Sequence, residues 1–159
     1  MRRITALIEP TQYEKWMNEA LIEARRAFSE DEVPVGAIII QQNEIIARAY
    51  NRRETDQNPL GHAEILAIDA AAKKLGRWRL NDCTLIVTLE PCAMCAGALV
   101  NARLAQVVFA ACDPKAGACG SVFNVVANTK LNHRLDIVSG ILEEDARQLL
   151  QDFFKNKRT

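Results

Sequence analysis

Apolar residues return every third or fourth position from Tyr13 to Phe28, through Trp16, Met17, Ala20, Leu21, Ala24 and Ala27. That spacing predicts an amphipathic helix. Thr11 and Glu14, just after Pro10, have the spacing of a capping box, with Thr11 as N-cap. The period then drops to that of a strand. Val35 to Ile40 is β-rich, Gln41-Gln42-Asn43 predicts a turn, and Glu44 to Tyr50 supplies a partner strand. Asn58-Pro59-Leu60-Gly61 is loop chemistry. Helical spacing resumes at His62 (Ile65, Leu66, Ile68, Ala72, Leu75) and stops at Gly76. Thr84 to Thr88 predicts a buried strand, Pro91 opens a third helix to about Ala102, and Gln106 to Ala110 predicts another strand. A loop spans Asp113 to Gly120, a last strand Arg134 to Ser139, and a closing helix runs from Leu142 to Phe154. The closing helix is acidic at its start and basic at its end, as the helix dipole favours. Strands alternating with helices predict α/β layering around a mixed sheet. The opening hairpin is antiparallel, and strands joined by helical crossovers are parallel.

Composition narrows this little. The chain has 159 residues, enough for one ordinary domain, with 49% hydrophobic and 25% charged residues, an ordinary globular balance. We read 1–159 as a single domain with its core at about 11–155. Apolar runs such as Val35 to Ile40 are strand-sized, so no membrane span is expected. Met1-Arg2-Arg3 is basic, but Ile4 to Ile8 is too short for an export signal, which points to the cytoplasm. Five cysteines, an odd number, argue against a disulfide framework. Cys83, Cys112 and Cys119 are expected to be small buried hydrophobes. Net charge is zero, so overall charge gives no vote for nucleic acid. Arg52, Arg53, Lys73, Lys74, Arg77, Arg79, Lys115, Arg134, Lys155, Lys157 and Arg158 can still form a local basic rim.

The chemistry lies in His62-Ala63-Glu64 and Pro91-Cys92-Ala93-Met94-Cys95. One histidine and two cysteines make three zinc ligands. Structural zinc sites close with four protein ligands, whereas catalytic sites keep three and leave a position for water. Cys92 and Cys95 are spaced i, i+3, so both sulfurs lie on one face of a helix's first turn, where the dipole favours thiolates. Zinc with two thiolates and a neutral imidazole sums to zero, so water is the group left to ionise. Zinc brings its pKa from about 15.7 to about 7, a difference of roughly 12 kcal/mol. Glu64 is the free carboxylate, suited to moving protons. The whole pattern is the signature of zinc nucleobase deaminases. Competing readings are a redox Cys-x-x-Cys and a closed zinc site completed by His133 or another cysteine.

Further stretches carry a resemblance that covers nearly the whole chain, Trp16 to Phe154. They include Glu32-Val33-Pro34-Val35-Gly36-Ala37, Asn51-Arg52, the run from Val87 to Gly97, the run from Asp113 to Ala118, Gly120-Ser121, Asn132-His133-Arg134 and Phe153-Phe154. Through them the chain resembles the bacterial tRNA-specific adenosine deaminases. The resemblance implies a cytidine-deaminase-like three-layer α/β/α fold with a five-stranded mixed sheet, one zinc per subunit and a homodimer with its active site near the subunit interface. It implies deamination of the wobble adenosine of a tRNA anticodon stem-loop to inosine. His62, Cys92 and Cys95 match the metal ligands and Glu64 the catalytic acid/base. Asn51 matches a base-contacting asparagine, with Val35, Ala63 and Leu89 around the base. Asp113, Lys115, Asn132 and His133 match positions near flanking nucleotides. Phe153 or Phe154, Lys157 and Arg158 match a tail that touches the stem-loop. One departure is Asn58-Pro-Leu-Gly61 in place of the commoner Asp-Pro-Thr-Ala, which implies a looser loop. Deamination of a free base, nucleoside or nucleotide, and a noncatalytic RNA-binding zinc protein, are the alternative functions.

Overall fold

The computed structural model describes residues 8–157. Helix α1 (Tyr13–Ser29) leads to the hairpin of β1 (Gly36–Gln41) and β2 (Glu44–Tyr50). Then follow α2 (Ala63–Leu75), β3 (Cys83–Leu89), α3 (Ala93–Asn101), β4 (Gln106–Ala111), β5 (Asp136–Ser139) and α4 (Glu143–Lys157). The five strands form one sheet in the order β2-β1-β3-β4-β5. β1 is antiparallel to both β2 and β3, while β3, β4 and β5 run parallel. The sheet is therefore mixed, as the sequence predicts. β2 and β3, joined through α2, point the same way but are separated by β1.

Residue alternation along the central strands sorts the core into two layers. Ala37, Ile39, Leu85, Val87, Val107 and Phe109 face Ala63, Ala67 and Ala71 of α2 and Ala96 and Leu99 of α3. Ile38, Ile40, Ile86, Val108 and Ala110 face Trp16, Met17, Ala20 and Leu21 of α1 and Ala146 of α4. Both faces of β1, β3 and β4 are buried, which explains their continuous apolar runs. No helix among the described residues is long and apolar enough to cross a membrane.

The hairpin closes on Gln42 and Asn43 at φ 50° and 63°, with Gln41 opposite Glu44. This two-residue turn with positive φ at both positions matches the twist of the strands. Gly76 caps α2 at φ 67°, the left-handed conformation that ends many helices. Thr11 does not cap α1. Pro10–Gln12 form a 3-10 turn, closed by the Gln12 amide donating to Glu9 O at 2.8 Å, and α1 starts at Tyr13 without a side-chain cap. The turn takes Thr11 out of the cap position that the box requires. Leu142 lies at φ 55°, so α4 begins one residue later than its apolar spacing suggests. Cys83 and Cys119 are buried as expected, and burial first of all pushes both thiols up to about 12. Cys112 is exposed, because it lies just past the end of β4 where the chain leaves the sheet.

Leu85 is fully buried at the centre of β3, against the α2–α3 layer. Leu85→Ala is expected to cost about 2–5 kcal/mol of unfolding free energy, read as a lowered denaturation midpoint.

Candidate active site

Strand direction brings the functional residues to one edge of the sheet. The start of β1, the end of β2 and the ends of β3 and β4 all lie there, since Gly36 pairs with Tyr50, Ala37 with Val87, and Leu89 with Ala111. A crevice at the carboxyl ends of parallel strands is a usual place for ligands in α/β sheets. Helices α2 and α3 begin at this edge. His62 and Cys92 are their N-cap residues, with extended backbones and no side-chain cap bond, so both side chains are left free of the helix ends.

Cys95 follows one turn into α3 and completes the group. The possible ligand atoms of His62, Cys92 and Cys95 all lie within 4.8 Å of one another. His62 Nδ1 stands 3.7 Å from Cys92 Sγ and 3.5 Å from Cys95 Sγ. A hydrogen bond from Cys95, and a second from His62, hold the Cys92 thiol down at about 3, so Cys92 carries a thiolate. The Cys95 thiol is pushed up, first by donating to Cys92 and then by burial. His62 is raised by its contact with Cys92 and by the nearby Glu64 charge, against the opposing effect of burial. One imidazole and two sulfurs around a common centre suit a metal cation, which would take the place of the shared proton.

The group opens onto a cavity of about 170 Å³, walled by Val33, Val35, Ala63 and Leu89 and reached by Asn51, Glu64, Glu90 and Asp113. Its two buried glutamates are shifted in opposite directions. Glu64 is 4% exposed, and burial raises its carboxyl above the usual range. Burial also opposes ionisation of Glu90, but the Ser121 hydroxyl and the amides of Asp113, Ser121 and Cys119 outweigh it and hold that carboxyl low. Two carboxyls driven apart in this way separate a proton carrier from a fixed charge. Asn51 is buried, its Nδ2 donating to Val33 O at 3.2 Å and its Oδ1 accepting from Arg53 N at 3.2 Å. One donor and one acceptor site of its amide remain for a ligand.

The chain matches the MafB19-like deaminase family over residues 11–158. It is 51% identical to the tRNA-specific adenosine deaminase of Bacillus subtilis (strain 168), over 93% of this chain and 92% of that protein. It is 48% identical to the tRNA-specific adenosine deaminase of Aquifex aeolicus (strain VF5), over 91% and 95% respectively. A solved structure from a study of A-to-I editing by tRNA:A34 deaminases at the wobble position superposes with a TM-score of 0.83, at 40% identity. It covers 86% of this chain and 99% of that one.

The chain belongs to the tRNA-specific adenosine deaminase family.

Of the residues that the family resemblance singled out, His62, Glu64, Cys92, Asn51, Val35, Ala63, Leu89 and Asp113 line one cavity, and Cys95 joins its metal group. Lys115 stands exposed on the same loop as Asp113, whose Oδ1 accepts the Lys115 and Ala116 amides. Asn132 and His133 are elsewhere. They precede β5 at the opposite edge of the sheet, where His133 Nε2 lies 2.6 Å from Leu104 O. Phe153 is a core residue, edge-on to Phe28, while Phe154 is 45% exposed. Lys157 is paired with Asp31 at 2.6 Å. Arg158, like Met1-Arg2-Arg3, lies outside the described residues. Three more residues of the expected basic rim are paired: Arg52 with Glu30 and Asp56, Lys73 with Asp69, Arg77 with Asp82.

The loop before His62 is not loose. Asn58 Oδ1 accepts the Leu60 amide at 3.0 Å, Gly61 N donates to Asn58 O, and Arg52 N donates to Gly61 O at 2.9 Å. Residue patterning missed Val33, Arg53, Glu90 and Ala116 as lining. Glu90 adjoins Pro91-Cys92, and a lone acid within a motif was the available signal.

Glu32 is 1% exposed and accepts the amides of Glu54 at 3.1 Å and Thr55 at 2.7 Å, pinning the loop that follows Asn51. Burial opposes its ionisation, yet these bonds and Arg52 hold its carboxyl below the usual carboxylate range. Its stabilising effect is full above the unfolded value and is lost as pH falls below it through the folded value. Glu32→Gln is expected to cost about 1–3 kcal/mol at neutral pH. Denaturant titrations at pH 7 and in the acid range should show this deficit shrinking on acidification.

Proposed function

We propose that the protein is a zinc-dependent, cytoplasmic tRNA adenosine deaminase. It converts the wobble adenosine of an anticodon stem-loop to inosine, with one zinc per subunit of a homodimer. The carrying observation is the convergence of His62, Cys92 and Cys95 beside a buried Glu64 in a cavity that Asn51 also lines. Bonds of about 2.3 Å to sulfur and about 2.0 Å to nitrogen in a tetrahedral zinc site put S and N roughly 3.5 Å apart. The separations of 3.7 and 3.5 Å fit that requirement. Bound there, zinc supplies a Lewis acid that makes water a nucleophile near neutral pH.

The chain's own residues do the rest. Asn51 offers its remaining amide donor and acceptor to a purine edge, and Val35, Ala63 and Leu89 form the apolar walls that exclude water from the ring. Glu64 takes a proton from the attacking water and gives it to the ring nitrogen, then takes the second proton from the newly attached hydroxyl and gives it to the departing amine. A C–O bond forms, the exocyclic C–N bond breaks, and ammonia leaves. Its raised carboxyl value suits this work, because a carrier must both accept and release a proton. Asp113, in the cavity lining, and the exposed Lys115 two residues on are assigned to neighbouring nucleotides. Phe154, Lys157 and Arg158 are the tail's contribution to holding the stem-loop. Asn132 and His133 are proposed to meet flanking nucleotides, from a position at the far edge of the sheet where His133 Nε2 lies 2.6 Å from Leu104 O.

Cys95→Ala should reduce zinc content sharply. Glu64→Ala should keep zinc and fold yet lose nearly all turnover. Metal analysis and mass spectrometry of tRNA, read for loss of adenosine and gain of inosine, check both. A well-folded Glu64→Ala with full deamination would remove the proton-carrier role. An anticodon stem-loop should be turned over far better than free adenosine, cytidine or guanine, because only a flanked base has contacts that offset unstacking. Rate comparison across these substrates decides the substrate class.

A further inference from the structure

Glu90 joins the metal-ligand turn to the loop across the cavity. It follows β3 directly, two residues before Cys92, and its own amide donates to Ala111 O at the end of β4. Its side chain is 2% exposed. Glu90 Oε1 accepts the Asp113 amide at 3.0 Å and the Ser121 hydroxyl, and Oε2 accepts the amides of Cys119 at 3.0 Å and Ser121 at 3.1 Å. A carboxylate offers about four lone-pair sites. All four are taken, so none remains for a substrate or a proton in transit. Gly117 closes the arrangement: a Cβ there would lie 2.4 Å from Glu90 Cδ, so the loop backbone rests directly on the carboxylate. The Ala118 amide adds a bond to Pro91 O at 2.8 Å. The loop held in this way carries Asp113 and Ala116, which line the cavity, and the exposed Lys115 between them.

We infer that Glu90 is a positioning residue whose buried carboxylate holds the Asp113–Ser121 loop as a wall of the base cavity, and so sets substrate affinity without a hydrogen bond of its own to substrate. The inference rests on the RNA-deaminase reading for its effect on KM, but not for its effect on the loop. The side chain must be a carboxylate of glutamate length. Glutamine has the length but turns an NH2 toward amide donors, and aspartate retracts the acceptors by one methylene.

The experiment compares zinc-loaded wild type, Glu90→Gln and Ser121→Ala. It measures zinc content, residue-resolved amide exchange, and KM and kcat on an anticodon stem-loop. Glu90→Gln is expected to keep zinc, to accelerate exchange at Asp113, Cys119 and Ser121 while β3 and β4 stay protected, and to raise KM roughly tenfold with kcat within about threefold. Ser121→Ala removes one donor only and should shift the same amides and KM in the same direction by less. It decides the matter if Glu90→Gln does not fold. Unchanged exchange at the three amides, acceleration spread evenly through the sheet, loss of zinc, or a fall in kcat at constant KM each overturns the positioning role. A wild type that makes no inosine removes the RNA-deaminase reading, while the exchange pattern still decides what Glu90 does.

Discussion

Three ligand atoms must meet within a few ångströms, and that constraint shapes the molecule around them. His62 and Cys92 begin two different helices, and Cys95 lies one turn into the second. They meet only if α2 and α3 dock on the same face of the sheet with their first turns at the same edge. The small residues Ala63, Ala67 and Ala71 of α2, and Ala96 of α3, permit that close docking on β1 and β3. The antiparallel placing of β1 between β2 and β3 then brings Asn51 and Val35 to the same edge as Glu90 and Cys92.

Buried carboxylates are costly unless paired or hydrogen-bonded. This protein places them at its functional edge in two ways. Glu32 accepts two backbone amides, Glu90 accepts three amides and the Ser121 hydroxyl, and each ties down a loop beside the cavity. Glu64, beside the metal group, has no such set of donors, and burial lifts its carboxyl instead. The same side chain is thus held low where several donors surround it and is raised where burial dominates.

The tail and the far edge show how neighbours redirect cationic and aromatic residues. Lys157 returns to Asp31 across 126 positions of sequence, which brings the end of α4 beside a second cavity lined by Val33 and Arg53. Phe153 anchors that return in the core and leaves Phe154 outside. His133 is engaged with Leu104 O, at the end of the sheet away from the His62, Cys92 and Cys95 group.

Periodicity alone determined the elements and their order, because apolar spacing reports which face each segment buries. The motif spacing determined the chemistry, because i, i+3 cysteines share a helix face wherever that helix packs. The departures lie where a local pattern competes with a neighbour. Pro10 and the Glu9–Gln12 bond drew Thr11 into a 3-10 turn, and leaving the sheet exposed Cys112. Which charges are paired, which glutamate is raised and which one holds a loop depend on donors and counter-ions from distant segments. Glu90 and Ser121 are 31 positions apart, and Glu32 and Thr55 are 23 apart. No window along the chain contains those partners together, so only the tertiary structure could decide them.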